Sequence, residues 1–84
     1  MINKEILKKQ IIYRSTHRGS KEMDILLGNF VKKYVNKFAY DDLIKLDKLL
    51  KIEDEVLYRC YFDKNINEII PKNKISELLK NFKL

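Results

Sequence analysis

Charged and polar side chains that could do chemistry crowd into one short stretch, RSTHRGSKEMD, at residues 14–24. It holds two arginines and the only histidine of the chain, followed by a glycine and two acidic residues. The planar guanidinium of an arginine suits a carboxylate, a carbonyl or a phosphate. Glu22 and Asp24, two residues apart on a helix, would not face each other and make a poor general acid/base pair. The stretch therefore indicates either a partner-binding patch or a local structural network.

Sequence patterns of catalytic and metal sites are absent from the chain. A single histidine gives no sign of a nucleophile triad, and no GxxxxGK[ST] or GxGxxG phosphate loop occurs. The one cysteine, Cys60, cannot form an internal disulfide or a zinc site by itself, and its place in a helical pattern favours a buried core thiol. We expect no catalytic residue, no metal and no stably bound cofactor.

The acidic residues of the stretch are typical of a helix start. If Gly19 is the N-cap, Glu22 takes the third helical position and can reach back to the cap's own amide. If Ser20 is the N-cap, Glu22 and Asp24 lie in the first turn and favour the helix dipole. Neither arrangement accounts for the three potential cations just upstream, Arg14, His17 and Arg18.

Five helical segments surround this stretch, and each carries apolar residues at helical spacing. They are predicted at about residues 3–14, 20–38, 41–51, from 54 onwards and after 73. The predicted inward face of the first helix is Ile6, Leu7, Gln10 (flanked by Ile11) and Tyr13. The predicted stripe of the second helix is Met23, Leu26, Leu27, Phe30, Val31, Tyr34, Val35 and Phe38, and that of the third is Leu43, Leu46, Leu49 and Leu50. Asn3, Asp41 or Asp42, and Asn73 are candidate N-caps. The fold class is therefore all-α: one domain over residues 1–84, a compact bundle of five short antiparallel helices.

Size and charge restrict the function classes further. Eighty-four residues form a small core with little room for an enclosed catalytic cavity, which favours a binding or adaptor module. The net charge is +6, but the basic residues are scattered from Lys4 to Lys83 rather than gathered in a stripe, so nucleic-acid binding is not favoured. We see neither a membrane-spanning run nor the pattern of a signal or transit peptide, and expect a cytoplasmic, bacterial protein.

Two stretches resemble a known family, the SdhE-type succinate dehydrogenase assembly factors, also called YgfY or flavinator proteins. YRSTHRGSKEMDILLGNF at residues 13–30 is similar to the family signature, whose R-G-x-x-E motif here runs from Arg18 to Glu22. LIKLDKLLKIEDEVLYRC at 43–60 resembles the family's leucine-rich helix and D-x-x-L-Y-x-W, matched at Asp54, Leu57 and Tyr58. The resemblance covers roughly residues 6–82, with Cys60 in place of the usual tryptophan and no glycine in the loop at 63–70.

The resemblance implies a chaperone rather than an enzyme. Such a factor promotes covalent attachment of FAD to the flavoprotein subunit of succinate dehydrogenase, with fumarate reductase as a second candidate client. FAD would belong to the client, and the factor would be a monomer when free. The partner-binding residues implied by position are Arg18, Gly19 and Glu22, and adjacency extends the set to Arg14, Ser15, His17 and Asp24. Asp54 and Tyr58 are expected to be structural, as a helix cap and a packed ring.

Two other function classes remain open at this point. A small basic antitoxin-like regulator would bind an acidic protein or nucleic acid, with a steep dependence on salt. A structural subunit of a larger assembly would expose a large apolar patch and form obligate oligomers, but the sequence gives no sign of such an apolar excess.

Overall fold

The computed structural model describes residues 3–63, 70 and 72–83, which contain five helices. The helices are α1 (Lys4–Thr16), α2 (Lys21–Tyr34), α3 (Tyr40–Leu50), α4 (Asp54–Phe62) and α5 (Lys74–Lys80). No strand occurs among the described residues. The predicted all-α fold of five short helices is confirmed. The loop predicted at 63–70, and with it the missing family glycine, falls almost wholly on residues 64–69, outside the described part.

Side-chain caps define three of the helix starts. Asn3 accepts hydrogen bonds from the amides of Glu5 and Ile6, and Asn73 forms a reciprocal capping box with Ser76. Ser20, not Gly19, is the N-cap of α2, with its hydroxyl accepting from the Met23 amide. The N-cap of α3 is Ala39, whose methyl group cannot accept a hydrogen bond. The predicted caps, Asp41 and Asp42, lie in the first turn of the helix instead. There they interact favourably with the helix dipole.

The core is built from apolar stripes of all five helices. The predicted α3 stripe is buried, and the predicted α2 stripe is buried except for Tyr34, which is partly buried. Cys60 of α4 also lies in the core, as expected, and is 7% exposed. Helix α1 contacts α2 and α3, while α5 contacts α3 and α4. None of the described helices is long and apolar enough to cross a membrane. Among residues 3–63, 70 and 72–83, the buried apolar residues are Leu7, Ile11, Met23, Leu26, Leu27, Phe30, Val31, Val35, Phe38, Leu43, Leu46, Leu49, Leu50, Leu57, Cys60, Ile70, Ile75 and Leu79.

Two details of the sequence prediction were wrong. Helix α2 ends at Tyr34 rather than near residue 38, although Val35 and Phe38 beyond its end still pack into the core. In α1 the buried residues are Leu7, Ile11 and Ser15, whereas Ile6, Gln10 and Tyr13, predicted to face inward, are exposed.

Candidate functional site

Arg18 of the RGSKE stretch is turned into the protein, and its side chain is only 10% exposed. Its Nε donates to Asp54 Oδ1 at 2.8 Å, and Nη2 lies 2.5 Å from the same oxygen. The two residues are 36 apart in sequence. This ion pair therefore joins the α1–α2 connection to the start of α4.

The remaining donors of the Arg18 guanidinium bind backbone carbonyls. Nη1 donates to Leu50 O at 2.7 Å and to Arg14 O at 3.1 Å, and Nη2 donates to Ile52 O at 3.2 Å. The end of α1, the end of α3 and the α3–α4 connection thus meet at one side chain. A lysine could not serve all of these acceptors, because it lacks the planar fork of donors.

The backbone of the same stretch is held as firmly as the side chain. The Gly19 amide donates to Asp54 Oδ2 at 2.9 Å, so both oxygens of that carboxylate are used. The Arg18 amide donates to Asp24 Oδ1 at 2.6 Å. A Cβ added at Gly19 would lie 3.3 Å from Asp54 Oδ2, which explains why the smallest residue sits here. We call Arg18, Gly19, Asp24 and Asp54 the anchor.

Glu22 differs from the anchor residues because its side chain is exposed on the first turn of α2. Within residues 3–63, 70 and 72–83 it makes no hydrogen bond or ion pair. It lines a shallow hollow together with Ser20, Met23, Asp54, Glu55 and Tyr58. Glu22 is therefore positioned by its neighbours and free to meet a group from another molecule.

The other predicted site residues fall on α1 and just after it. Ser15 is fully buried, and its hydroxyl donates to Ile12 O at 2.8 Å. Arg14 Nε lies 3.2 Å from Asp47 Oδ1 in an ion pair, and Asp47 also pairs with Lys51. His17, at the end of α1, stacks on the Tyr13 ring with centroids 3.9 Å apart.

Asp54 and Tyr58 differ from their predicted roles. Asp54 was expected to be a helix cap, but Glu53 occupies the N-cap position of α4 and Asp54 serves the anchor. Tyr58 was expected to be packed; it is 43% exposed and contacts Phe62, which is equally exposed. The spacing of the D-x-x-L-Y match placed Asp54 correctly, but nothing in that spacing named its partner.

The side chains of the candidate site are suited to binding another molecule. In the described part of the chain no group of three or more histidine, cysteine or acidic side chains could hold a metal ion. The exposed groups around the anchor are the carboxylates of Glu22 and Glu55, the Tyr58 ring and, on the α1 side, cations and a stacked Tyr–His pair. Such groups bind a partner surface by charge and shape.

Comparison with known proteins identifies the family. The sequence profile of the family described as "Flavinator of succinate dehydrogenase" matches residues 9–83. The mitochondrial succinate dehydrogenase assembly factor 2 of Scheffersomyces stipitis is 36% identical over 77 residues, covering 90% of this chain and 52% of the relative. That of Debaryomyces hansenii is 31% identical over 77 residues, covering 90% and 54%.

A bacterial relative matches over nearly its whole length. The FAD assembly factor SdhE of Wigglesworthia glossinidia brevipalpis is 34% identical over 80 residues, covering 94% of this chain and 90% of the relative. The chain spans about half the length of the fungal relatives. No solved structure matches the chain significantly. The match of the profile from residue 9 to residue 83 shows that the chain belongs to the flavinator of succinate dehydrogenase family.

Proposed function

We propose that this chain is an assembly factor that promotes covalent attachment of FAD to the flavoprotein subunit of succinate dehydrogenase. Family membership and the names of the relatives support this function over an antitoxin-like regulator. The related subunit of fumarate reductase is a second candidate client. FAD stays with the client, and the chain itself is a chaperone rather than an enzyme.

The observation that carries the proposal is the contrast between Arg18 and Glu22. The anchor fixes the backbone of the RGSKE stretch, and Glu22 is left exposed on that fixed backbone without a partner in the described part of the chain. Because the backbone beneath Glu22 is already fixed, binding has to order only the side chain, which lowers the entropy cost of the contact. Docking through Glu22, with Tyr58 and Glu55 beside it, is therefore our proposed contact with the client.

In the proposed mechanism, the factor orients the reacting groups of its client. The factor holds the client in a conformation where the flavin and the residue that receives it lie within reacting distance. Holding reactants in near-attack geometry can lower a barrier by several kcal/mol without a catalytic side chain from the factor. This suits a chain whose candidate site offers binding groups only.

The proposal is tested by reconstituting flavinylation. A purified apo-flavoprotein subunit of succinate dehydrogenase is incubated with FAD and this protein, and covalent flavin is followed by fluorescence in a denaturing gel. We expect wild-type protein to raise the initial rate. Glu22→Ala should lower its effect about five- to thirtyfold at subsaturating concentration, the loss expected for a residue at the centre of an interface.

The matched control is Glu77→Ala. Glu77 is also an exposed acidic residue in the first turn of its helix, so its removal costs a similar helix-dipole energy. It should support flavinylation like the wild type, and both variants should keep the wild-type melting temperature within a few degrees. If wild-type protein adds nothing to the rate of the client alone, the proposed function is wrong. If Glu22→Ala and Glu77→Ala act alike, Glu22 is not the contact.

A further inference from the structure

Helix α1 carries a second exposed surface that the RGSKE stretch does not explain. Ile6, Gln10, Tyr13 and His17 are spaced by four, three and four residues, which places them on one side of the helix. Ile6 is 48% and Tyr13 62% exposed, although both are large apolar side chains. With Lys9 they form what we call the α1 outer face. The inward side of the helix is formed by Leu7 and Ile11.

The C-terminal half of this face borders a hollow whose charged groups are all cationic. Its lining is Lys9, Gln10, Tyr13, Arg14, His17 and Arg18. No carboxylate lines it, because Asp47, which pairs with Arg14, is buried. Lys9 is exposed and makes no ion pair with any described residue. Arg14 and Arg18 are paired with Asp47 and Asp54, so the positive charge that the hollow offers to a partner comes mainly from Lys9.

The aromatic part of the hollow is already ordered. The Tyr13 and His17 rings stack with an interplanar angle of 15°, and His17 Nδ1 lies 2.9 Å from Tyr13 O. Two side chains that are fixed before binding lose less entropy when a partner covers them. An ordered, half-exposed tyrosine is also a frequent anchor at protein interfaces.

We propose that the α1 outer face binds an acidic, partly apolar segment of the client flavoprotein. This inference rests on the proposed function. Carboxylates of the segment would meet Lys9 and Arg14, and apolar side chains would cover Ile6 and Tyr13. A second copy of this chain is a poor occupant. If two copies met through the same face, Lys9 and Arg14 of one copy would lie near those of the other, and the like charges would repel.

The two sides of the RGSKE stretch then differ in sign. The hollow on the Glu22 side is lined by three acidic residues, Glu22, Asp54 and Glu55, whereas the α1 side is cationic. A client that touches both sides can dock in only one orientation without placing like charges together, and like-charge contacts suppress wrong arrangements. The α1 outer face thus determines how the client is oriented, together with the negative charge of Glu22 on the other side of the RGSKE stretch.

The experiment measures binding of the purified apo-flavoprotein subunit to immobilised variants. Lys9→Glu should weaken binding at least fivefold, mainly through a slower association rate, and the loss should shrink as salt is raised. Its control is Lys32→Glu, the same charge change at an exposed lysine of α2 with no ion pair among the described residues. Each substitution places a carboxylate at a mildly unfavourable position, beside Glu5 or near the α2 C-terminus, so both variants should fold alike. Lys32→Glu should bind like the wild type within about twofold.

A second matched pair tests the apolar part. Ile6→Ala and Ile12→Ala remove the same side chain from the same helix at similar exposure, 48% and 45%. Because the two positions are six residues apart, they lie about 120° apart around the helix. Ile6→Ala should weaken client binding about fivefold, and Ile12→Ala should leave it unchanged. Zero-length carbodiimide cross-linking should also couple Lys9 to an aspartate or glutamate of the client.

The outcomes separate this inference from the proposed function. If wild type binds the client and Glu22→Ala loses it, while Lys9→Glu and Ile6→Ala bind like wild type, the α1 inference is wrong and the proposed function stands. If the wild type does not bind the client, both fail. If Lys9→Glu abolishes binding to phosphatidylserine vesicles or duplex DNA but leaves client affinity intact, the occupant is an anionic lipid or nucleic acid and the inference is overturned.

Discussion

At the residue scale, the two charged residues at the ends of the RGSKE stretch, Arg18 and Glu22, differ in their contacts. Each nitrogen of the Arg18 guanidinium donates at least one hydrogen bond inside the protein. Glu22, four residues later, has no such partner in the described region. A buried charge without partners is strongly unfavourable, so the contacts of Arg18 stabilise the folded protein. The motif therefore combines one residue that builds the surface with one that is displayed on it.

Removal of the Arg18 side chain should destabilise the protein. Arg18→Ala leaves the Asp54 carboxylate, 28% exposed, without its counter-charge and leaves three carbonyls without a donor. Breaking a buried ion pair costs 3–5 kcal/mol, and the partial exposure of Asp54 reduces this to about 2–4 kcal/mol. Urea unfolding followed by circular dichroism measures the loss.

Arg59→Ala is the control for Arg18→Ala. Arg59 also pairs with an acidic residue, Glu55 at 2.9 Å, but both side chains are more than half exposed. An exposed pair on one helix contributes only a few tenths of a kcal/mol. Arg18→Lys should recover only part of the stability because an ammonium cannot fill the same acceptors. If Arg18→Ala unfolds at the wild-type urea concentration, the anchor has no structural role.

At the element scale, the sequence predicted which helices exist better than which faces they bury. Helix α2 has one apolar stripe, and its core residues were predicted correctly. In α1 the apolar residues at 6, 7, 11, 12 and 13 spread around more than half of the helix. Periodicity alone could not choose the buried side. The small residues that decide it are Ser15 on α1 and Gly28 on α2, since Gly28 lies against the end of α1.

The end of α2 shows a second limit of periodicity. Apolar spacing continues through Val35 and Phe38, so it predicts a helix to residue 38. The chain leaves the helix after Tyr34 and makes a turn, with the Lys37 amide donating to Tyr34 O. Val35 and Phe38 stay in the core because the turn keeps them on the buried side. Burial can therefore persist where the helix has ended.

The two glycines should respond to alanine with opposite signs. At Gly28, inside α2, an added Cβ would meet Thr16 Cγ2 at 3.8 Å, an ordinary contact. Gly28→Ala should stabilise the protein by about 0.5–1 kcal/mol, because alanine favours a helix over glycine. At Gly19 the added Cβ would press on Asp54 Oδ2, which cannot easily move while Arg18 and the Gly19 amide hold its carboxylate. Gly19→Ala should cost about 1–2 kcal/mol.

Thermal melts of both variants check this pair. The difference between them is more informative than either value, because the substitution is the same and only the surroundings change. If Gly19→Ala melts at or above the wild-type temperature, the close approach to Asp54 is not a constraint. If Gly28→Ala is destabilised by more than about 1 kcal/mol, the packing of α2 on α1 is tighter than the distances indicate.

At the scale of the whole molecule, the candidate site depends on contacts that could not be predicted from a single sequence. The stretch at 14–24 could be recognised by its residue types, but several partners of the Arg18 side chain are far along the chain. Asp54, Leu50 and Ile52 reach Arg18 only because the helices pack as they do. Local propensity carries no signal for a contact across 36 residues. Partner binding by the seven predicted site residues stays a prediction, and the contacts favour Glu22 among them.

The distribution of charge over the whole molecule leads to a last prediction. Exposed lysines or arginines lie on all five helices, for example Lys9, Lys32, Lys45, Arg59 and Lys74. A rigid duplex can contact only one side of so small a protein, so few of these charges would reach phosphates together. Since each neutralised phosphate adds about 0.9 to the log–log salt slope, about three contacts give a slope near 3. Binding to duplex DNA, measured by fluorescence anisotropy, should therefore be weak and vanish near physiological salt. A slope above about 6 with submicromolar affinity at that salt would instead support the nucleic-acid-binding regulator, because it requires phosphate contacts along a continuous basic surface.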